Sequence, residues 1–134
     1  MFRRIDDHVL LSSQIGADDV AVAAAEGVTM IVNNRPDGEQ PGQPASADIE
    51  AAAKQAGMAY RYIPVRGGFS PEQVGAMAEA LSDGEGKVLA YCASGTRSAY
   101  LWALARAGAG DDAGELVRKA AAAGYDLTPL LPYL

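Results

Sequence analysis

The chain has 134 residues, of which 49% are apolar, and 17 acidic against 11 basic side chains give a formal net charge of −6. That length fits one domain, residues 1–134, with apolar content enough for a packed core. The acidic balance argues against a nucleic-acid partner, and no apolar run reaches the ~18–20 residues of a membrane span.

The N-terminal MFRRIDDHVL lacks the apolar stretch of a secretory leader, so a cytoplasmic chain is expected. The single cysteine, Cys92, excludes an internal disulfide and a Cys-rich zinc site. The single histidine, His8, excludes a multi-histidine cluster, and neither metal nor cofactor is expected.

In chain order, short β-rich runs alternate with alanine-rich helical ones, the rhythm of an α/β fold. Residues 9–14 read as a strand. A helix over 18–26 stops at Gly27, and the β-branched run 28–32 reads as a strand buried on both faces. Residues 33–44, rich in Pro, Gly, Asn and charge, read as a surface loop. Ser46 is expected to cap a helix to about Ala56, with Asp48 in its first turn. Residues 60–65 read as a strand that stops near Pro64 or lies at a sheet edge, because Pro64 lacks a ladder donor. Arg66-Gly67-Gly68-Phe69 connects it to Ser70-Pro71-Glu72-Gln73, a capping serine, a proline at the first helical position and a capping-box glutamine. That helix ends near Ser82. A strand over 88–91 leads into Cys92, and a helix over 98–107, apolar almost all round, follows. Asp112 with Glu115 opens a last helix to about Ala123, and the apolar segment 125–134 packs back on the domain or on a partner. The fold expected is a central, mostly parallel sheet of four or five strands with helices on both faces.

The chemistry concentrates in Cys92-Ala93-Ser94-Gly95-Thr96-Arg97-Ser98. A buried strand delivers a cysteine to its carboxyl end, where ligands bind in open α/β sheets. The loop N–H groups from Ala93 to Arg97, the positive end of the next helix and the Arg97 fork converge as an anion cradle. Gly95 permits a backbone angle or a close approach that a side chain would block. The same field is expected to favour thiolate, the nucleophilic form. The hydroxyls of Ser94, Thr96 and Ser98 are candidate substrate donors and equally ordinary caps. Arg35 and Arg66 stand where each could greet an anion, or balance nearby acids and solvent. His8 reads as structural or solvated, and Trp102 as core.

At these residues the chain resembles known families. Cys92 to Arg97, a Cys-x4-Arg string, is similar to the active loop of rhodanese-type sulfurtransferases. Ile31-Val32-Asn33-Asn34-Arg35, Tyr62-Ile63-Pro64-Val65 and the strand–Cys-loop–Arg–helix together resemble cysteine-dependent phosphatases of the dual-specificity type. Over nearly the whole chain, through Asn33-Asn34-Arg35-Pro36-Asp37-Gly38-Glu39 and Tyr91 to Ser98, it resembles the small bacterial beta-lactamase-hydrolase-like family. Its members have a phosphatase fold and are often assigned as sulfurtransferases.

The resemblance implies a phosphatase-like fold with Cys92 and Arg97 as catalytic residues. Two departures shape the expected activity. Phosphatase loops place five residues between cysteine and arginine, whereas this chain has four, shorter by up to ~3.3–3.6 Å of chain. The loop after the Ile-Pro strand also carries no acid before Glu72 to protonate a leaving oxygen; Asp37 or Glu39 would have to swing in from the other loop.

Sulfur transfer needs no general acid, so the expected activity is a sulfurtransferase. Cys92 takes the outer sulfur of thiosulfate or a persulfide and passes it from a Cys92 persulfide to a thiol or cyanide. Against this, the chain lacks the Gly-His-Ile segment and the upstream aspartate pattern of rhodaneses. Alternatives are a phosphatase with a phosphocysteine intermediate and a non-enzymatic thiol sensor.

Overall fold

The computed structural model describes residues 2–134. Five strands, β1 (Arg3–Arg4), β2 (Val9–Ser12), β3 (Val28–Asn33), β4 (Ala59–Tyr62) and β5 (Lys87–Tyr91), pair in the order β1-β2-β5-β3-β4. Only β1 runs antiparallel to its neighbour. Five helices, α1 (Ala17–Ala25), α2 (Ser46–Gln55), α3 (Pro71–Asp83), α4 (Thr96–Gly108) and α5 (Ala113–Ala122), and a terminal 3₁₀ helix (Thr128–Tyr133) cover both faces.

The central strands are apolar throughout because each face meets a separate core. Side chains alternate across a strand. Leu10, Ile31, Leu89 and Tyr91 therefore join Val20, Ala23, Ile49 and Ala53 beneath α1 and α2. Leu11, Val32, Val88 and Ala90 join Met77, Leu101, Trp102 and Leu116 beneath α3, α4 and α5. In register, Ala90 faces Leu11 on one side and Val32 on the other. The last residues of β5 are thus gripped at the middle of the sheet. The C-terminal segment closes the second core through Tyr125, Leu127 and Leu130.

Most element boundaries fall within one or two residues of those expected, and the exceptions have physical causes. The two-residue β1 carries no sequence pattern long enough to see. β2 ends at Ser12, two residues early. β4 ends at Tyr62 instead of Val65, because Pro64 interrupts the ladder. The Ile63 and Val65 N–H groups nonetheless reach the carbonyls of Asn33 and Asn34, at 2.9 and 3.0 Å. Ser46 is not the cap of α2. Ala45 holds that place, and Asp37 caps the helix from the preceding loop by accepting the Ser46 N–H at 2.8 Å. The Ser46 hydroxyl meets the Tyr60 hydroxyl at 2.6 Å. The Ser70–Gln73 capping box of α3 forms as expected. Among the described residues, no helix is long and apolar enough to cross a membrane.

Candidate active site

Cys92 follows β5 at the carboxyl end of the sheet and is wholly buried. The strand alternation continues one step past Tyr91, which turns Cys92 toward the α4 face. The chain then reverses through Gly95, whose φ of +96° a side chain would resist. Gly95 is the N-cap of α4. The left-handed turn aims the Gly95 N–H at Cys92 Sγ, 3.1 Å away. A hydrogen bond of this kind favours sulfur carrying negative charge.

Arg97 supplies the fixed cation. Nη1 donates to Glu39 Oε2 at 2.7 Å and to the Val65 carbonyl at 2.8 Å, and Nη2 donates to Glu39 Oε1 at 3.0 Å. A guanidinium has five N–H groups. Three are spent, which leaves Nε–H and one Nη2–H, a parallel pair along one edge. Such a pair matches two oxygens of a tetrahedral anion. The Glu39 contact, ahead of negative charge on the Cys92 sulfur, holds Arg97 above its usual range against the opposing effect of burial.

Glu39 is a positioned anion rather than a proton source. It accepts from Arg97 twice and from Arg35 Nε at 2.9 Å. These contacts, Arg97 foremost, lower its pKa to about 2. Arg35 stands behind Glu39, 6% exposed, with Nη1 donating to Gln14 Oε1 at 3.1 Å and its backbone N–H to Asn33 Oδ1 at 2.8 Å. Two of the five Arg35 guanidinium N–H groups are thus engaged, one by Glu39 and one by Gln14.

The other candidate residues divide. Ala93, Ser94 and Thr96 are exposed along the loop rim, with Ser94 Oγ donating to Thr96 Oγ1 at 3.1 Å. Ser98 is wholly buried, and its hydroxyl donates to Asn34 Oδ1 at 2.8 Å. Arg66 is exposed and makes no ion pair among the described residues.

Sequence reasoning missed Asn34 as a structural hub. Its Nδ2 donates to the Ile63 carbonyl at 2.9 Å and its N–H to the Tyr91 carbonyl at 2.8 Å, so it binds three segments around the loop. No spacing pattern could tie it to Ser98, 64 residues away.

A surface cavity of about 710 Å³ lies at the opposite end of the sheet. It is lined by Asp6, His8, Leu81, Arg106 and Lys119 among others. His8 belongs there, with Nε2 3.0 Å from the Leu81 carbonyl. The loop chemistry, not cavity size, marks the candidate site. Among the described residues no three His, Cys, Asp or Glu side chains cluster to hold a metal.

Comparison with known proteins fits this geometry. The chain is 40% identical over 101 residues to the beta-lactamase hydrolase-like protein of Xylella fastidiosa Temecula1, covering 75% of this chain. It is 38% identical over 105 residues to the protein of that name from Agrobacterium fabrum, covering 78%. It spans only 23% and 24% of those two longer relatives. A "putative phosphatase" from Neisseria meningitidis superposes with a TM-score of 0.84 at 34% identity, over 96% of this chain and 92% of that one. At 20% identity, TpbA of P. aeruginosa, solved in complex with pTyr, shares the fold with a TM-score of 0.68, over 94% of this chain and 75% of that one. The family profile described as "Beta-lactamase hydrolase-like protein, phosphatase-like domain" matches residues 1–109, and the chain belongs to that family.

Proposed function

We propose that the chain is a cysteine-dependent phosphatase for aryl phosphate monoesters. The observation that carries this reading is the free Nε–Nη2 edge of Arg97, held in place by Glu39 and Val65 beside the Cys92 loop. The phosphatase-like family and the 34%-identical Neisseria relative support it over the sulfur transfer expected from loop length.

In this reading two phosphoryl oxygens dock on the Arg97 edge and the third on loop N–H groups. Cys92 Sγ attacks phosphorus, an S–P bond forms, and the bond to the ester oxygen breaks with its electron pair on the leaving group. Water then attacks phosphorus, the S–P bond breaks, thiolate is restored, and the water proton leaves with inorganic phosphate. Arg97 and the loop N–H groups stabilise charge that is already placed, so they need no reorganisation.

The leaving group receives no proton from this site. Glu39 is ionised at neutral pH, and Asp37 is engaged at the end of α2, where one carboxyl oxygen accepts the Ser46 N–H. Without a general acid, leaving groups such as phenolate, whose conjugate acid has a pKa near 10, are favoured over far more basic alkoxides. The substrate class is therefore a phosphotyrosine-like aryl ester.

Sulfur transfer is the second reading, favoured by that same lack of an acid and by the four residues between Cys92 and Arg97. Thiosulfate, too, is a tetrahedral anion, and sulfite leaves without a proton. One paired assay separates the two. Wild type and Cys92→Ser are given p-nitrophenyl phosphate, an alkyl phosphate, and thiosulfate with cyanide. Hydrolysis of the aryl ester only, lost in Cys92→Ser, is the expected result. Cys92-dependent thiocyanate without ester hydrolysis would replace phosphatase with sulfurtransferase.

A further inference from the structure

The groups that hold Cys92 and Arg97, the Gly95 N–H, the Glu39 carboxylate and the Val65 carbonyl, all lie within residues 1–109, the span of the family match. One contact on the nucleophile loop comes from beyond it. Tyr125, just after α5, is 9% exposed, and its phenol lies flush against Gly95. A methyl group added to Gly95 would run into Tyr125 Oη, with two ring carbons at 3.0 and 3.1 Å. This is the same glycine whose N–H meets Cys92 Sγ.

The phenol is braced from behind. Arg3 of β1 lies over the ring, 5.9 Å from its centroid, and donates Nη1 to the Ala123 carbonyl at 3.1 Å. Gly124, at φ +95°, leaves the space that the guanidinium fills. Tyr125 Oη makes no hydrogen bond within the described residues, so polar pairing does not account for its place. Burial raises the phenol pKa and keeps the group neutral.

Glycine enters the left-handed region freely and leaves it just as freely. A loop that depends on one glycine at φ +96° therefore needs an outside constraint. We infer that Tyr125 is a positioning residue for Cys92, its phenol acting as the wall that keeps the Gly95 N–H on Sγ. The inference rests on the reading of Cys92 as the nucleophile. It assigns to the C-terminal segment a part in the reaction beyond closing the core.

Alkylation of Cys92 by iodoacetamide tests it without a phosphate ester, so the outcome does not depend on which substrate the enzyme takes. The rate is followed against pH in wild type, Tyr125→Ala and Tyr125→Phe. Leu130→Ala, a buried truncation in the same segment and the same core, is the control for packing loss. Near-ultraviolet circular dichroism confirms folding. The midpoint of the profile is expected to move up by roughly half to one pH unit in Tyr125→Ala, the effect of one weakened hydrogen bond to thiolate. Tyr125→Phe keeps the ring in the core and is expected to shift the same way by less. Leu130→Ala is expected to leave the midpoint in place. An unmoved midpoint in Tyr125→Phe together with Tyr125→Ala overturns the inference, and so does an equal shift in Leu130→Ala. Should Tyr125→Ala not fold, an unmoved midpoint in Tyr125→Phe alone overturns it.

Discussion

Replacing Glu39 by glutamine isolates what the carboxylate does for Arg97. The side chain stays the same size and can still accept one N–H, but it loses its charge and turns an amide NH2 toward a guanidinium. A pKa lowered from 4.5 to about 2 would correspond to about 3 kcal/mol of folding stability for a shielded group. Glu39 lies in an exposed loop with its side chain 24% accessible, so solvent screening reduces that to about 1–2 kcal/mol. The folded pKa is depressed, so the stabilisation is complete above the unfolded value and disappears as pH falls from about 4.5 to about 2. Urea unfolding of wild type and Glu39→Gln is expected to differ by that amount at pH 7 and to converge near pH 2. Aryl phosphate kcat/KM is expected to fall by about tenfold to thirtyfold, the loss of an oriented but not a reacting group. Equal stabilities at pH 7, or a gap that persists unchanged to pH 2, would refute the account of Glu39 as an ionised clamp. A loss of about 10²–10⁴-fold would make it a proton donor instead, the range general acid catalysis is worth.

Three further outcomes are expected. Asn34→Ala leaves the Ser98 hydroxyl and the Ile63 carbonyl buried without their partner and lowers stability by about 2–3 kcal/mol in urea titration. Gly95→Ala meets both the positive φ and the Tyr125 phenol; steady-state kinetics are expected to show kcat/KM down by about 10²-fold or more as the N–H leaves Sγ. Ser70→Ala removes the cap of α3 and is expected to cost about 1 kcal/mol in thermal unfolding.

The elements were legible where local chemistry decides them. The β-branched run around Ile31, the proline-led start of α3 and the glycine after α1 each state their structure within a few residues, and the chain follows them. Cys92 and the helix after it were equally plain, because strand, glycine, arginine and helix are contiguous, although the helix opens at Thr96, two residues before the expected Ser98. What escaped depends on long-range placement. Arg35 looks the same in sequence whether it faces substrate or Glu39, and only the path of loop 34–45 decides. Ser46 looked like a cap because serine usually is one, but Asp37 reaches the helix end from nine residues upstream. Tyr125 and Gly95 are joined by no pattern at all, because the last helix must pack before they meet.

Arg97 joins three stretches of chain that sequence keeps apart. From the start of α4 it holds Glu39 in the loop after β3 and Val65 in the loop after β4. Its removal therefore does two things together: it takes away a cation, and it unfastens both loops. Lysine would restore charge at one point but cannot span the two anchors, since an ammonium lacks the planar fork. The arginine is thus a keystone as well as a ligand. A kinetic loss in Arg97→Ala or Arg97→Lys measures the collapse of that small arch together with the missing charge, and Glu39→Gln loosens one side of it while leaving the guanidinium in place.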